Sequence, residues 1–131
     1  MPQSPLTIRI DTGSQTPVHR QISDAIRALL VDGSLRPGDP LPPVRQLGID
    51  LAVHFNTVAE AYRTLAQEGW LDLRRRRGAL VIERTTPKKI APESELKFAR
   101  RLREFVAATQ SEGLPAKIIL RHLRLVAEGL E

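Results

Sequence analysis

The sequence predicts a mainly α-helical protein with one small β-hairpin, arranged as two consecutive units. Three observations carry that reading. Apolar residues recur at helical spacing in five stretches, and a single strand-like run, ALVI at 79–82, follows four consecutive arginines. The stretch ERTTPKKIAPES at 83–94, with two prolines and few apolar residues, then separates the first three helices from the last two. The expected boundaries are a first unit over 1–84, a linker over 85–92 and a second unit over 93–131.

Each element has its own signal. TIRI at 7–10 alternates like a short strand, and DTGSQTP at 11–17 reads as a loop. Thr16 is placed to cap a first helix with Pro17 at its first position, where a missing N–H costs nothing. Val18, Ile22, Ala25, Ile26, Leu29 and Leu30 then share a face, and Gly33 suits the stop. SLRPGDPLPP at 34–43 is dense in proline and glycine and reads as a connecting loop. Pro43 opens a short second helix with Val44, Leu47 and Leu51 on one face. A third helix begins at His54 or Phe55, buries Val58, Tyr62 and Leu65, and stops at Gly69. So short a gap between two short helices is the pattern of a helix-turn-helix.

Leu71 and Leu73 flank Asp72, and the arginines with Gly78 form the turn of a hairpin with a cationic tip. Beyond the linker, Leu96, Ala99, Leu102, Phe105, Val106 and Thr109 fall at helical spacing up to Gly113. Pro115 starts a last helix carrying Ile118, Ile119, Leu123, Val126, Ala127 and Leu130. Two isolated amphipathic helices cannot bury both apolar faces, so a second copy is expected to complete this core. Leu96, Leu102, Phe105, Val106, Ile119, Leu123 and Val126 are the residues expected at that homodimer contact.

Charge is localised. Residues 73–89 hold seven bases and one acid; of the chain's 20 bases and 15 acids, that leaves 13 and 14 elsewhere. A patch of this kind suits a phosphate backbone. With no cysteine, disulfides, thiolate metal sites and cysteine nucleophiles are excluded. No phosphate-binding glycine loop, paired carboxylates or metal cluster is visible, so neither an enzyme nor a cofactor is expected. The N-terminus lacks a signal-like apolar run and no segment is long enough to span a bilayer, which predicts a soluble, cytoplasmic protein without a membrane partner.

Three helices followed by a basic hairpin is the order of a winged helix. PVHRQI at 17–22, GSLRPGDPLPPVRQL at 33–47, NTVAEAYRTLAQEGWL at 56–71 and RGALV at 77–81 resemble, in sequence and order, the DNA-binding domain of the GntR family of bacterial transcription regulators. The two-helix tail resembles the small dimerisation domain of the YtrA-type subfamily. The resemblance implies a winged helix-turn-helix domain followed by a two-helix dimerisation domain, and double-stranded operator DNA as partner. It implies that Arg45, in LPPVR, is a DNA contact and that the hairpin is a wing approaching the minor groove.

Residue chemistry suits that role. Asn56 can pair with adenine or a phosphate, Thr57 can donate to a phosphate, and Arg63 lies on the same outward side of the third helix. Arginine grips guanine in two places, and a narrow minor groove attracts arginine, so Arg75, Arg76 and Arg77 beside Gly78 are candidates, with most weight on Arg76 and Arg77. Other roles stay open: a solvated turn for the arginines, helix capping for Asn56 and Thr57, and pairing of Arg45 with Asp39 or Asp50. His19, His54 and His122 are scattered and suggest no metal site.

The chain also departs from the family pattern. Pro43 stands where serine would cap the second helix. Gly48 stands where alanine is usual and Ala52 where glycine is usual, each unfavourable by roughly 1 kcal/mol. Phe55 occupies a position that often carries a base-contacting arginine, and Ala59 is short, so base readout is either thin here or apolar toward thymine methyls. His19 replaces a common tyrosine. The function expected is a homodimeric repressor on a palindromic operator, the alternative being a sequence-tolerant structural DNA-binding protein. Nothing in the sequence identifies an operator, a regulated gene or a small-molecule effector.

Overall fold

A computed structural model describes residues 6, 8–74, 78–84 and 91–130. The chain divides after Arg84 into two compact units.

In the first unit, α1 (Val18–Val31), α2 (Val44–Leu51) and α3 (Phe55–Gln67) precede a two-stranded antiparallel sheet of β1 (Leu71–Asp72) and β2 (Leu80–Val81). α3 is the central element: it packs against α1, α2 and β1. Ile22, Ile26, Leu41, Leu47, Val58, Leu65 and Val81 are fully buried around it, with Tyr62, Leu71 and Ala79 beside them. The i, i+3, i+4, i+7 apolar stripe of α3 thus becomes the core of the unit.

Several ends differ from expectation. TIRI forms no strand over 8–10, and Ile8 instead joins the core. α1 is capped by Pro17 and not by Thr16, with no side-chain cap bond. The loop before it is held from within the helix, where Gln21 Nε2 donates to Asp11 O and Thr16 O while Gln21 Oε1 accepts from Asp11 N at 2.8 Å. Pro43 is likewise the residue before α2 and not its first. Gly33 and Gly69 follow the helices with φ of 86° and 90°, the left-handed geometry that ends a helix without a Cβ penalty.

The corner between α2 and α3 is tight. Ala52 adopts φ 59°, a left-handed conformation that is costly for a residue with a Cβ, and Val53 N–H donates back to Gly48 O at 2.9 Å. Gly48 is required by that closeness, because a Cβ there would stand 2.9 Å from Val53 O and 3.3 Å from the Phe55 backbone. The absent side chain at 48 lets the first turn of α3 lie against α2.

The segment expected to be only a connecting loop also pairs with the hairpin. Gly38 N–H donates to Val81 O, Val81 N–H to Asp39 O and Leu41 N–H to Ala79 O, with Pro40 bridged to Leu80. Leu71 faces Val81 and Asp72 faces Leu80 on the other side. β2 therefore runs between two partners. Elsewhere α1 is pinned to the end of α3 by a two-point pair in which Arg27 Nε and Nη2 donate to the Glu68 carboxylate at 2.9 and 2.8 Å. Hydrogen bonding to Glu68 holds the Arg27 guanidinium above its already high pKa.

The second unit contains α4 (Pro92–Ser111) and α5 (Ala116–Gly129), joined through Gly113 at φ 110°. α4 begins one residue before the expected Glu93 because proline is favourable at a first helical position. The backbones of the two helices come close at few points. Their apolar faces do not satisfy one another. Leu96, Phe98 and Phe105 are more than 60% exposed, Leu123 and Val126 are exposed, Leu102 and Val106 are half-buried, and Ile119 is buried.

Candidate nucleic-acid interface

Arg45 is exposed on the first turn of α2, a helix start without any side-chain cap. Its guanidinium carbon lies 4.5 Å from the centroid of the Phe55 ring, at the first position of α3. The His54 ring stacks on the same phenyl group, with centroids 4.5 Å apart and planes inclined by 25°. Residues ten positions apart meet because the corner is so closed. The acids considered as partners of Arg45 bond elsewhere: Asp39 accepts from Arg36 N–H at 2.8 Å, and Asp50 from Gln46 Nε2 at 2.9 Å.

His54 is also the cap of α3. Its Nδ1 accepts from Asn56 N–H at 3.0 Å, and its carbonyl accepts from Thr57 N–H. Histidine is an uncommon cap, so no sequence signal pointed to it, and the role considered for Asn56 and Thr57 belongs to their neighbour. Asn56 is exposed and Thr57 half-buried at the free end of the helix, while Arg63 is exposed two turns further on. His19 Nε2 lies 3.8 Å from Glu60 Oε1, joining α1 to α3.

The hairpin closes on the same corner. Gly78 has φ 113°, and a Cβ there would meet Leu41 O at 3.4 Å and Pro43 at 3.5 Å, so the wing base touches the chain that leads into α2. Tyr62 fixes that chain from the other side by donating its hydroxyl to Pro42 O at 2.6 Å. Burial pushes the phenol pKa well above its ordinary value, so it remains a donor. Arg74 is turned back on its own strand: its backbone N–H and Nε both bond Asp72 Oδ1, at 2.9 and 3.1 Å. The hydrogen bond to Asp72, then its charge, raises the Arg74 pKa further. Arg75, Arg76 and Arg77 lie outside the described residues.

One continuous rim thus joins Gly78, the start of α2 with Arg45, and the start of α3 with Phe55, Asn56 and Thr57. Arg63 lies further along α3, exposed to solvent. Among the described residues no cluster of three or more His, Asp or Glu could hold a metal, and no helix is long and apolar enough to cross a membrane.

Comparison with known proteins agrees with this geometry. Residues 18–81 match the family described as bacterial regulatory proteins, gntR family. The HTH-type transcriptional regulator YhcF of Bacillus subtilis, itself uncharacterised, is 32% identical over 117 residues, which cover 88% of this chain and 94% of YhcF. The chain belongs to the GntR family. The GntR-family chain is also 40% identical over 76 residues to the B. subtilis HTH-type transcriptional repressor YtrA, spanning 58% of each. Among solved structures, YtrA of Sulfolobus acidocaldarius, a GntR-family transcription factor, aligns with TM-score 0.56 and 32% identity over 79% of this chain and 97% of that one. This GntR-family protein is a transcription regulator with a winged helix-turn-helix, in a family of regulators and not of enzymes.

Proposed function

We propose that this GntR-family regulator is a cytoplasmic homodimeric repressor that binds a palindromic operator, one winged helix per half-site. The observation that carries the reading is the rim itself: wing base, α2 start and α3 start meet, with Arg45 exposed among them. A helix start fits the major groove, and an arginine-rich wing beside it reaches the minor groove or its walls. Arg45, Phe55, Asn56, Thr57 and Arg63 form the groove contacts, and Arg75, Arg76, Arg77 and Gly78 those of the wing. Dimerisation uses the faces of α4 and α5 that carry Leu96, Leu102, Phe105, Val106, Ile119, Leu123 and Val126, of which Ile119 is already buried within one chain; a two-fold axis through them matches a palindrome. The name of the relative YtrA supports the repressor sign.

The test is selection of bound fragments from sheared genomic DNA at near-physiological salt. A shared palindrome is the expected result, and Arg45→Ala then costs about 1–3 kcal/mol on that sequence and relaxes its preference. Equal loss on operator and random duplex would remove Arg45 as a base reader. Fragments without any common motif would favour sequence-tolerant DNA binding, the reading to which apolar Phe55 and short Ala59 point.

A further inference from the structure

The rim carries an apolar surface that phosphate binding does not use. Ile49, on the last turn of α2, is 74% exposed, although the fold holds its neighbours Leu47 and Gly48 buried. Together with Arg45, His54 and Phe55 it lines one open depression at the corner. Phe55 has two polar neighbours there, the Arg45 guanidinium and the stacked His54 ring, and of these Arg45 carries the fixed charge.

We propose that this corner is a composite reader of one base step, in which Arg45 takes a guanine and the Phe55 edge with Ile49 takes the 5-methyl group of an adjacent thymine. This rests on the operator-binding reading above. The chemistry of each half is specific. A guanidinium presents paired donors to guanine O6 and N7, and the thymine methyl is the apolar group that the major groove exposes. Stacking on the phenyl face restricts the long Arg45 side chain before any DNA arrives, so less freedom is lost on binding. Phe55 thus acts as a positioning residue for Arg45 and as a contact for the methyl. An arginine at position 55 would repel Arg45 across the same gap; a phenyl group attracts it.

The test uses the full chain and the operator recovered by selection, measured by fluorescence anisotropy. Each thymine is replaced in turn by deoxyuridine, which removes only the methyl. Wild-type protein is expected to lose about fourfold in affinity at a thymine next to a guanine in each half-site. Ile49→Ala, at an exposed position, is expected to bring the thymine-to-deoxyuridine ratio close to one. Phe55→Leu is expected to relax the preference for the neighbouring guanine about threefold, while Phe55→Tyr, which keeps the ring, restores it. Deoxyuridine that is silent at every position of a well-bound operator would overturn the inference and leave the regulator reading intact. Failure to recover any operator would overturn both.

Discussion

The two units of this chain solve the same problem differently. In the first, three amphipathic helices and a hairpin turn their apolar faces onto α3, and Ile22, Ile26, Val58 and Leu65 have no exposed surface at all. In the second, α4 and α5 are regular helices of 20 and 14 residues that leave Leu96, Phe98, Phe105, Leu125 and Val126 more than half exposed. One core is closed within the chain. The other leaves its apolar faces uncovered, and under the homodimer proposal its completion depends on concentration.

That contrast can be broken by measurement. The largest effect belongs to Leu65→Ala, which opens a cavity beneath all three helices and is expected to cost about 3 kcal/mol in denaturant unfolding, whatever the protein concentration. A cost that shrinks as protein is concentrated would mean that the first core is shared between copies. Phe105→Asp combined with Leu123→Asp is expected to weaken self-association by ~2 kcal/mol or more, read by sedimentation, and to leave unfolding of the first unit unchanged. Unaltered sedimentation would show that these faces are not the contact.

Smaller effects sharpen the picture of the closed core. Tyr62→Phe removes the bond to Pro42 O and is expected to cost about 1 kcal/mol at neutral pH. Because burial raises the folded phenol pKa above its ordinary 10, the contribution of the buried phenol is full below pH 10 and lost as pH rises above it; the Phe variant should lack that alkaline decline. Ala52→Gly relieves the left-handed strain and is expected to stabilise by about 0.5 kcal/mol, the gain being limited by the greater freedom of glycine in the unfolded chain. In Gly48→Ala the sign reverses, since the added methyl meets the Val53 carbonyl.

What the sequence made legible was periodic. The 3.6-residue spacing of Val58, Tyr62 and Leu65 located α3, and the glycines at 33, 69 and 113 marked ends that take positive φ. What stayed hidden depends on contacts between distant residues. Gly38–Leu41 looks like a loop by composition and is one, yet its amides still needed partners and found them on β2. TIRI has strand chemistry, yet its described residues 8–10 form no strand. At the candidate interface, the places of Arg45 and Phe55 at two helix starts could be read, but not their stacking, which requires the narrow corner made by Gly48 and Ala52. The charge of Arg74 could be counted, but not its return to Asp72.

The placement of β2 has a bearing on solubility. A bare two-stranded ribbon offers unpaired N–H and C=O groups along both sides, the template on which chains join edge to edge into aggregates. Val81 spends its N–H on Asp39 and its carbonyl on Gly38, so the outer side of β2 is already occupied by the chain's own backbone. Proline at position 40 of the covering segment has no N–H to offer further outward. The hairpin that carries the densest charge in the protein is thereby also closed against fibrous self-addition along that edge.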